Sequence, residues 1–166
     1  MNRHAIVSTR IGDLTLVASA DALAGVYFPH HWVKPTPDTL GDRVAASDPV
    51  IAEASRQLDE YLTGKRTSFD LPTVRRGDAF QRRVWSLLEE IPYGATTSYG
   101  ELAERLGDTA QAVGKAVGQN PLSIVIPCHR VVGKNGSLTG YAGGLKRKQF
   151  LLDLEEPAEI KAARLF

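Results

Sequence analysis

With 166 residues, 43% of them hydrophobic, and a formal net charge of +1, the chain is long enough for one good core or two small ones and too polar throughout to span a bilayer. Its single cysteine, Cys128, excludes an internal disulfide and a thiolate-built zinc site, and His4, His30, His31 and His129 lack metal-ligand spacing, so neither metal nor cofactor is expected. The opening residues form no secretory apolar region, and a soluble cytoplasmic protein is the expectation.

Apolar alternation over 5–8 and 14–18, around Ile11-Gly12-Asp13, predicts a β-hairpin, and a third strand is expected over 24–28. Four prolines between 29 and 49 with little periodicity predict a surface loop. Asp48 then caps a helix that begins at Pro49, carries Val50, Ala54, Leu58 and Tyr61 on one face and stops at Gly64. Residues 65–77, polar and broken by Pro72, suit a linker, so the chain divides into an α/β support lobe over 1–76 and a second lobe over 77–166.

The second lobe reads as mostly helical, for an α+β protein as a whole. Asp78 caps a helix bearing Phe80, Val84, Leu87, Leu88 and Ile91, ended by Pro92 and Gly94. Ser98-Tyr99-Gly100-Glu101 has the form of a capping box and opens a helix with Leu102, Ala103 and Leu106 inward, closed by Gly107. Ala110, Val113, Ala116 and Val117 mark another short helix. Two short helices joined by a tight turn form a helix-turn-helix pattern, common in plain αα-hairpins but also the motif that lays its second helix in a DNA groove. From Thr109 to Leu152 there is no acidic residue, whereas Lys115, Arg130, Lys134, Lys146, Arg147 and Lys148 fall inside, a basic stretch able to track phosphates. Residues 123–132 read as a β-rich apolar run interrupted by Pro127-Cys128-His129-Arg130, followed by a glycine-rich loop over 133–144 and a last helix with Phe150, Leu151 and Leu154.

Cys128 is expected at the edge of a buried strand. Buried cysteines are more often inert small hydrophobes than nucleophiles, but three neighbours weigh against inertness: Pro127 fixes the chain, His129 is a base, and Arg130 supplies positive charge. In a fully extended segment Cys128 and His129 point to opposite faces, so their cooperation requires a turn or a bridging water. His129 also needs a carboxylate to orient it, and the last helix offers Asp153, Glu155 and Glu156.

Asn120-Pro121, then Ile126-Pro127-Cys128-His129-Arg130-Val131-Val132-Gly133 and Gly140-Tyr141-Ala142-Gly143-Gly144-Leu145 closely resemble the O6-alkylguanine-DNA alkyltransferases, with strong resemblance over 80–155. The resemblance implies a ribonuclease H-like first lobe and a winged helix-turn-helix second lobe. It implies that Cys128 is the alkyl acceptor, activated by His129 through a water with Glu155 completing the relay, and that Asn120 is the hinge between the recognition helix and the active-site strand. Tyr99 would press on the phosphate 3′ of the target. Tyr141 with Ala142, Gly143 and Gly144 would line the guanine pocket, Ala112 and Gly114 would allow close approach to the minor groove, and Gln111, Lys115 and Arg130 would lie against DNA. The partner implied is double-stranded DNA bearing O6-alkylguanine, bound through the minor groove with little sequence preference by a monomer, with clustering on DNA left open. A lesion carbon inside the base stack is reachable only after the base is extruded, which explains why a helix-turn-helix and a sequestered thiol occur together.

Two features depart from the family. Gln111 stands where an intercalating Arg is usual, and the turn 107–110 is about two residues short; Lys115 cannot reproduce a planar guanidinium in a stack. Two other readings remain at this stage. A non-enzymatic damage sensor would not need the Cys128-His129 pair, and a cysteine hydrolase would need an oxyanion hole that nothing in the sequence suggests.

Overall fold

The structure is a computed structural model that describes residues 1–31 and 34–163; residues 32–33 and the last three residues of the second lobe, 164–166, lie outside it. β1 (Asn2–Thr9) and β2 (Gly12–Ser19) form the expected hairpin, in unbroken register from Asn2 opposite Ser19 to Thr9 opposite Gly12. The turn is fixed by Thr9, whose hydroxyl donates to the Gly12 carbonyl and accepts from the Ile11 N–H, while Gly12 takes φ +108°. β3 (Ala22–Tyr27) adds antiparallel to β2.

The proline-rich stretch is not simply a loop. Thr36 caps a single helical turn, α1 (Pro37–Leu40), and Gly41 at φ +65° ends it. Only glycine fits there, since a Cβ would lie 1.7 Å from the Asn2 carbonyl oxygen. β4 (Asp42–Arg43) then pairs parallel with β1, giving a four-stranded sheet in the order β3-β2-β1-β4.

α2 (Pro49–Leu62) covers the face of the sheet that presents Ala5, Val7, Leu14, Leu16 and Ala18. Its start follows expectation: the Asp48 carboxylate accepts from the Val50 and Ile51 N–H groups and also pairs with Arg3. Its inward face carries Ile51, Ala54, Leu58, Tyr61 and Leu62, while Val50, expected inward, is only half-buried.

The segment expected as a linker is tied down. Leu23 N–H donates to the Pro72 carbonyl and Val74 N–H to the Leu23 carbonyl, each at 2.9 Å, so 72–74 runs along the outer edge of β3. Further along that edge Val26 N–H donates to the Pro121 carbonyl at 2.8 Å, which docks the chain leading to Cys128 onto the first-lobe sheet.

In the second lobe, α3 (Ala79–Glu89) opens with a capping box between Asp78 and Gln81, and its Trp85 indole N–H donates to the Ala116 carbonyl at 2.9 Å. β5 (Thr97–Ser98) leads directly into α4 (Tyr99–Leu106), which Gly107 closes in the left-handed conformation before α5 (Ala110–Gly118). The expected capping box at Ser98 is half present. Ser98 Oγ accepts from the Glu101 N–H, but the Glu101 carboxylate takes the Thr97 hydroxyl, because the residues before α4 are extended as β5 alongside β6 (Val131–Val132). α6 (Leu145–Glu155) is the predicted last helix, and α7 (Ala158–Ala163) follows it unforeseen. Among the described residues no helix is long and apolar enough to cross a membrane.

Candidate active site

Residues 123–130 do not form the strand that their β-branched composition suggests. The reason is Asn120 at the end of α5, 2% exposed, which supplies the hydrogen bonds a neighbouring strand would otherwise provide. Its Oδ1 accepts from the Leu122 N–H and its Nδ2 donates to the Ile126 carbonyl, both at 2.9 Å. Inside this loop Ile126 N–H returns to the Leu122 carbonyl, and Ile124 sits at φ +73°, a left-handed conformation that a β-branched side chain resists. Pro127, at φ −79° and ψ 66°, forms an inverse γ-turn closed by Cys128 N–H on the Ile126 carbonyl. Cys128, His129 and Arg130 then make a short 3-10 turn before extended structure resumes at β6. Cys128 therefore stands on a turn rather than at a strand edge.

Behind the turn, His129 Nε2 lies 2.8 Å from Glu155 Oε2, with both side chains essentially out of solvent. Of the three carboxylates offered by the last helix, Glu155 is the one at His129. The same carboxylate accepts from Arg130 Nε at 2.7 Å and Arg130 Nη2 at 2.9 Å, and from the Tyr61 hydroxyl of the first lobe. Burial works to raise the Glu155 pKa, but His129, Arg130 and Tyr61 bring it down to about 2, so it is ionised. Burial lowers the pKa of His129 against the opposing pull of Glu155, which favours a neutral ring donating from Nε2. Its Nδ1 is left basic and has no hydrogen-bond partner among the described residues.

Arg130 corrects an expectation. It was expected to lie against DNA, but it is 8% exposed, its guanidinium held by Glu155 and by the Ile91 carbonyl at 2.7 Å. A charge committed to a buried carboxylate is not free to neutralise a phosphate. Lys148, counted in the same basic stretch, is fully buried, its Nζ donating to the Val131 carbonyl at 2.7 Å. Sequence reasoning missed both Lys148 and Tyr61. The signal for Lys148 was its spacing: with Leu151 and Glu155 it occupies the buried face of α6.

Cys128 is 6% exposed and borders a cavity of about 30 Å³, the size of one water, with Tyr99, Gly114, Asn120, Ser123, Tyr141 and Ala142 around it. Burial pushes the thiol pKa up, while Asn120, Lys148 and Ser123 pull the other way. The Ser123 and Tyr141 hydroxyls are buried without a hydrogen-bond partner among the described residues. Gly143 and Gly144, expected in the pocket, lie beside it instead. Gly143 packs on the Phe28 ring, where an added Cβ would come within 2.8 Å, and Gly144 at φ +89° caps α6.

Along α5, Gln111 and Lys115 are exposed, Ala112 and Gly114 are half-buried, and a Cβ added at Gly114 would lie 3.7 Å from the Tyr99 ring. The Tyr99 hydroxyl accepts from Thr139 Oγ1 at 3.3 Å, which links α4 to the glycine-rich loop. Tyr99 and Gly114 both line the Cys128 cavity, so α5 forms part of its wall.

Residues 2–74 match the family described as 6-O-methylguanine DNA methyltransferase, ribonuclease-like domain, and residues 79–157 match its DNA binding domain. A methylated-DNA–protein-cysteine methyltransferase of Mycolicibacterium paratuberculosis is 44% identical over 100% of this chain and 99% of its own. One from Methanosarcina acetivorans is 43% identical over 92% of this chain and 97% of its own. Among solved structures, that of Mycobacterium tuberculosis OGT in complex with DNA superposes with a TM-score of 0.83 at 39% identity, covering 95% of this chain and 97% of that one. With both of its lobes matched and its relatives aligned end to end, the chain belongs to the 6-O-methylguanine DNA methyltransferase family.

Proposed function

We propose that this protein repairs DNA by moving an alkyl group from O6 of an everted guanine to Cys128, once per molecule. The observation that carries the reading is a thiol at the wall of a small cavity, followed in the same turn by a buried imidazole anchored to a buried carboxylate. The thiol proton passes to His129 Nδ1 through a bridging water, and Sγ attacks the alkyl carbon in line. The C–O6 bond breaks, its electron pair goes to the guanine oxygen, and the guanine, still joined to its strand, takes up the proton that the His129 imidazolium gives back. The product thioether is inert to cellular thiols, so the protein is consumed. Nδ1 is the basic atom because Nε2 is committed to Glu155.

Asn120 holds the turn that presents Cys128. Tyr141 and Ala142 contact the base, the loop 140–142 yielding as it enters a cavity otherwise too small for a purine. Tyr99, Gln111, Ala112, Gly114 and Lys115 meet the minor groove of double-stranded DNA. Support for DNA as partner comes from the helix-turn-helix and from the DNA complex of the M. tuberculosis relative. We assign the support lobe to 1–76 and the acceptor lobe to 77–166, and expect a monomer acting in the cytoplasm.

Incubation with duplex DNA carrying radiolabelled O6-methylguanine tests the reading. Label should reach one equivalent on Cys128 and stop, and Cys128→Ala should bind the duplex but take up none. Duplex binding without label would favour a damage sensor, and labelling of the Ala variant would remove Cys128 from its role.

A further inference from the structure

Glu155 serves more donors than the relay needs. Its Oε2 alone receives the Tyr61 hydroxyl, His129 Nε2 and Arg130 Nη2, while Oε1 takes Arg130 Nε. A carboxylate oxygen has about two lone-pair directions, so three donors on one oxygen divide its capacity between them. Tyr61 reaches this point from α2 of the first lobe; it is 1% exposed, and its hydroxyl is also 3.4 Å from His129 Nε2.

We infer that the Tyr61 phenol is a positioning residue for alkyl transfer: by sharing Glu155 Oε2 with His129 it sets how strongly the carboxylate supports the imidazole as a base. The inference rests on the roles given above to Cys128, His129 and Glu155. It assigns the first lobe a part in the chemistry besides packing.

The other groups around the relay do not duplicate this part. Arg130, on the same turn as His129, and Lys148, on α6, are cations that disfavour a charged imidazole. Tyr93, packed edge-on against Tyr61 and lying under the Arg130 guanidinium, donates its hydroxyl to the Leu154 carbonyl instead. Tyr141 and the Cys128 thiol approach from the cavity side. Tyr61 keeps its own proton, because burial and the neighbouring Glu155 both hold its pKa above the ordinary phenol value. It therefore acts as a fixed donor, and removing it leaves more of Oε2 to His129.

The sign of the effect follows. A carboxylate relieved of one donor stabilises the imidazolium more, so His129 becomes the stronger base and holds its proton to higher pH. Single-turnover transfer from a saturating O6-methylguanine duplex, measured against pH, reads this directly. In Tyr61→Phe the midpoint of the acid limb should move up by about half a unit to one unit, with the plateau rate changed by less than about tenfold. Site-specific 3-fluorotyrosine at position 61, a better donor of the same shape, should move it down; this protein decides the matter if the Phe variant does not fold. Unshifted midpoints with only a lower plateau would overturn the inference and leave Tyr61 a packing residue. Failure of the unsubstituted protein to label Cys128 at all would instead overturn the underlying reading.

Discussion

The Asn120 side-chain amide donates to the Ile126 carbonyl at 2.9 Å, so the end of α5 and the turn that carries Cys128 are closed into one hydrogen-bonded loop. The same side chain accepts from the Leu122 N–H, which has no other acceptor among the described residues, while the Ile126 carbonyl also receives the Cys128 N–H. Asn120→Ala should therefore cost about 1–3 kcal/mol for the Leu122 N–H left buried and unpaired, and let Ile124 relax from its left-handed conformation. Denaturant unfolding will measure the loss, and transfer should fall more steeply than DNA binding. Equal falls in both would mean that the loop does not present the thiol.

Gln111 is exposed near the start of α5, at the position where the family resemblance leads one to expect an intercalating arginine. Gln111→Arg should raise the transfer rate from duplex DNA more than from free O6-alkylguanine, because only the duplex has a stack to fill. A comparison of the two substrates checks it, and equal gains would place the intercalating residue elsewhere.

Gly143 has no room for a side chain. An added methyl would come within 2.8 Å of the Phe28 ring, which is stacked on His31, edge-on to Tyr141 and covered by Arg147. Gly143→Ala should destabilise the protein by about 1–3 kcal/mol and slow transfer by displacing Tyr141. Phe28→Leu in the same chain should restore part of both, readable as a double-mutant cycle in melting temperature and rate.

His31 titrates far from its usual range. It is buried and accepts the Phe28 N–H on Nδ1, and burial lowers its pKa to about 4. Between about pH 6.5 and about pH 4 the unfolded chain binds a proton that the folded chain refuses, so stability falls as pH drops through that window, by on the order of 3 kcal/mol in all. His31→Gln keeps an acceptor without the titration. Unfolding midpoints at neutral and mildly acid pH should then differ less in the variant than in the parent.

Helix starts were legible because their caps are local: Asp48, Asp78 and Ser98 each bond an N–H two or three residues ahead. The β1–β2 hairpin was legible from alternation alone. The turn at 123–130 was not, because its β-branched residues argue for a strand and the decisive contact is made by Asn120, outside the run. Arg130 and Lys148 were read as surface charge for want of any local sign that Glu155 and the Val131 carbonyl wait for them in the interior. Tyr61 was placed correctly on the buried face of α2, but its partner lies 94 residues away and no spacing rule reaches that far.

On the β3 side the first-lobe sheet ends in main chain that is already spoken for. Residues 72–74 and 121–122 occupy that flank, while the short β4 pairs only with Arg3 and His4 at the other. Little backbone is left on the β3 side for a foreign strand to join, which closes one route to aggregation. A molecule consumed in its first reaction has to be held in reserve until a lesion appears, and a covered β3 flank gives such a reserve one fewer way to aggregate.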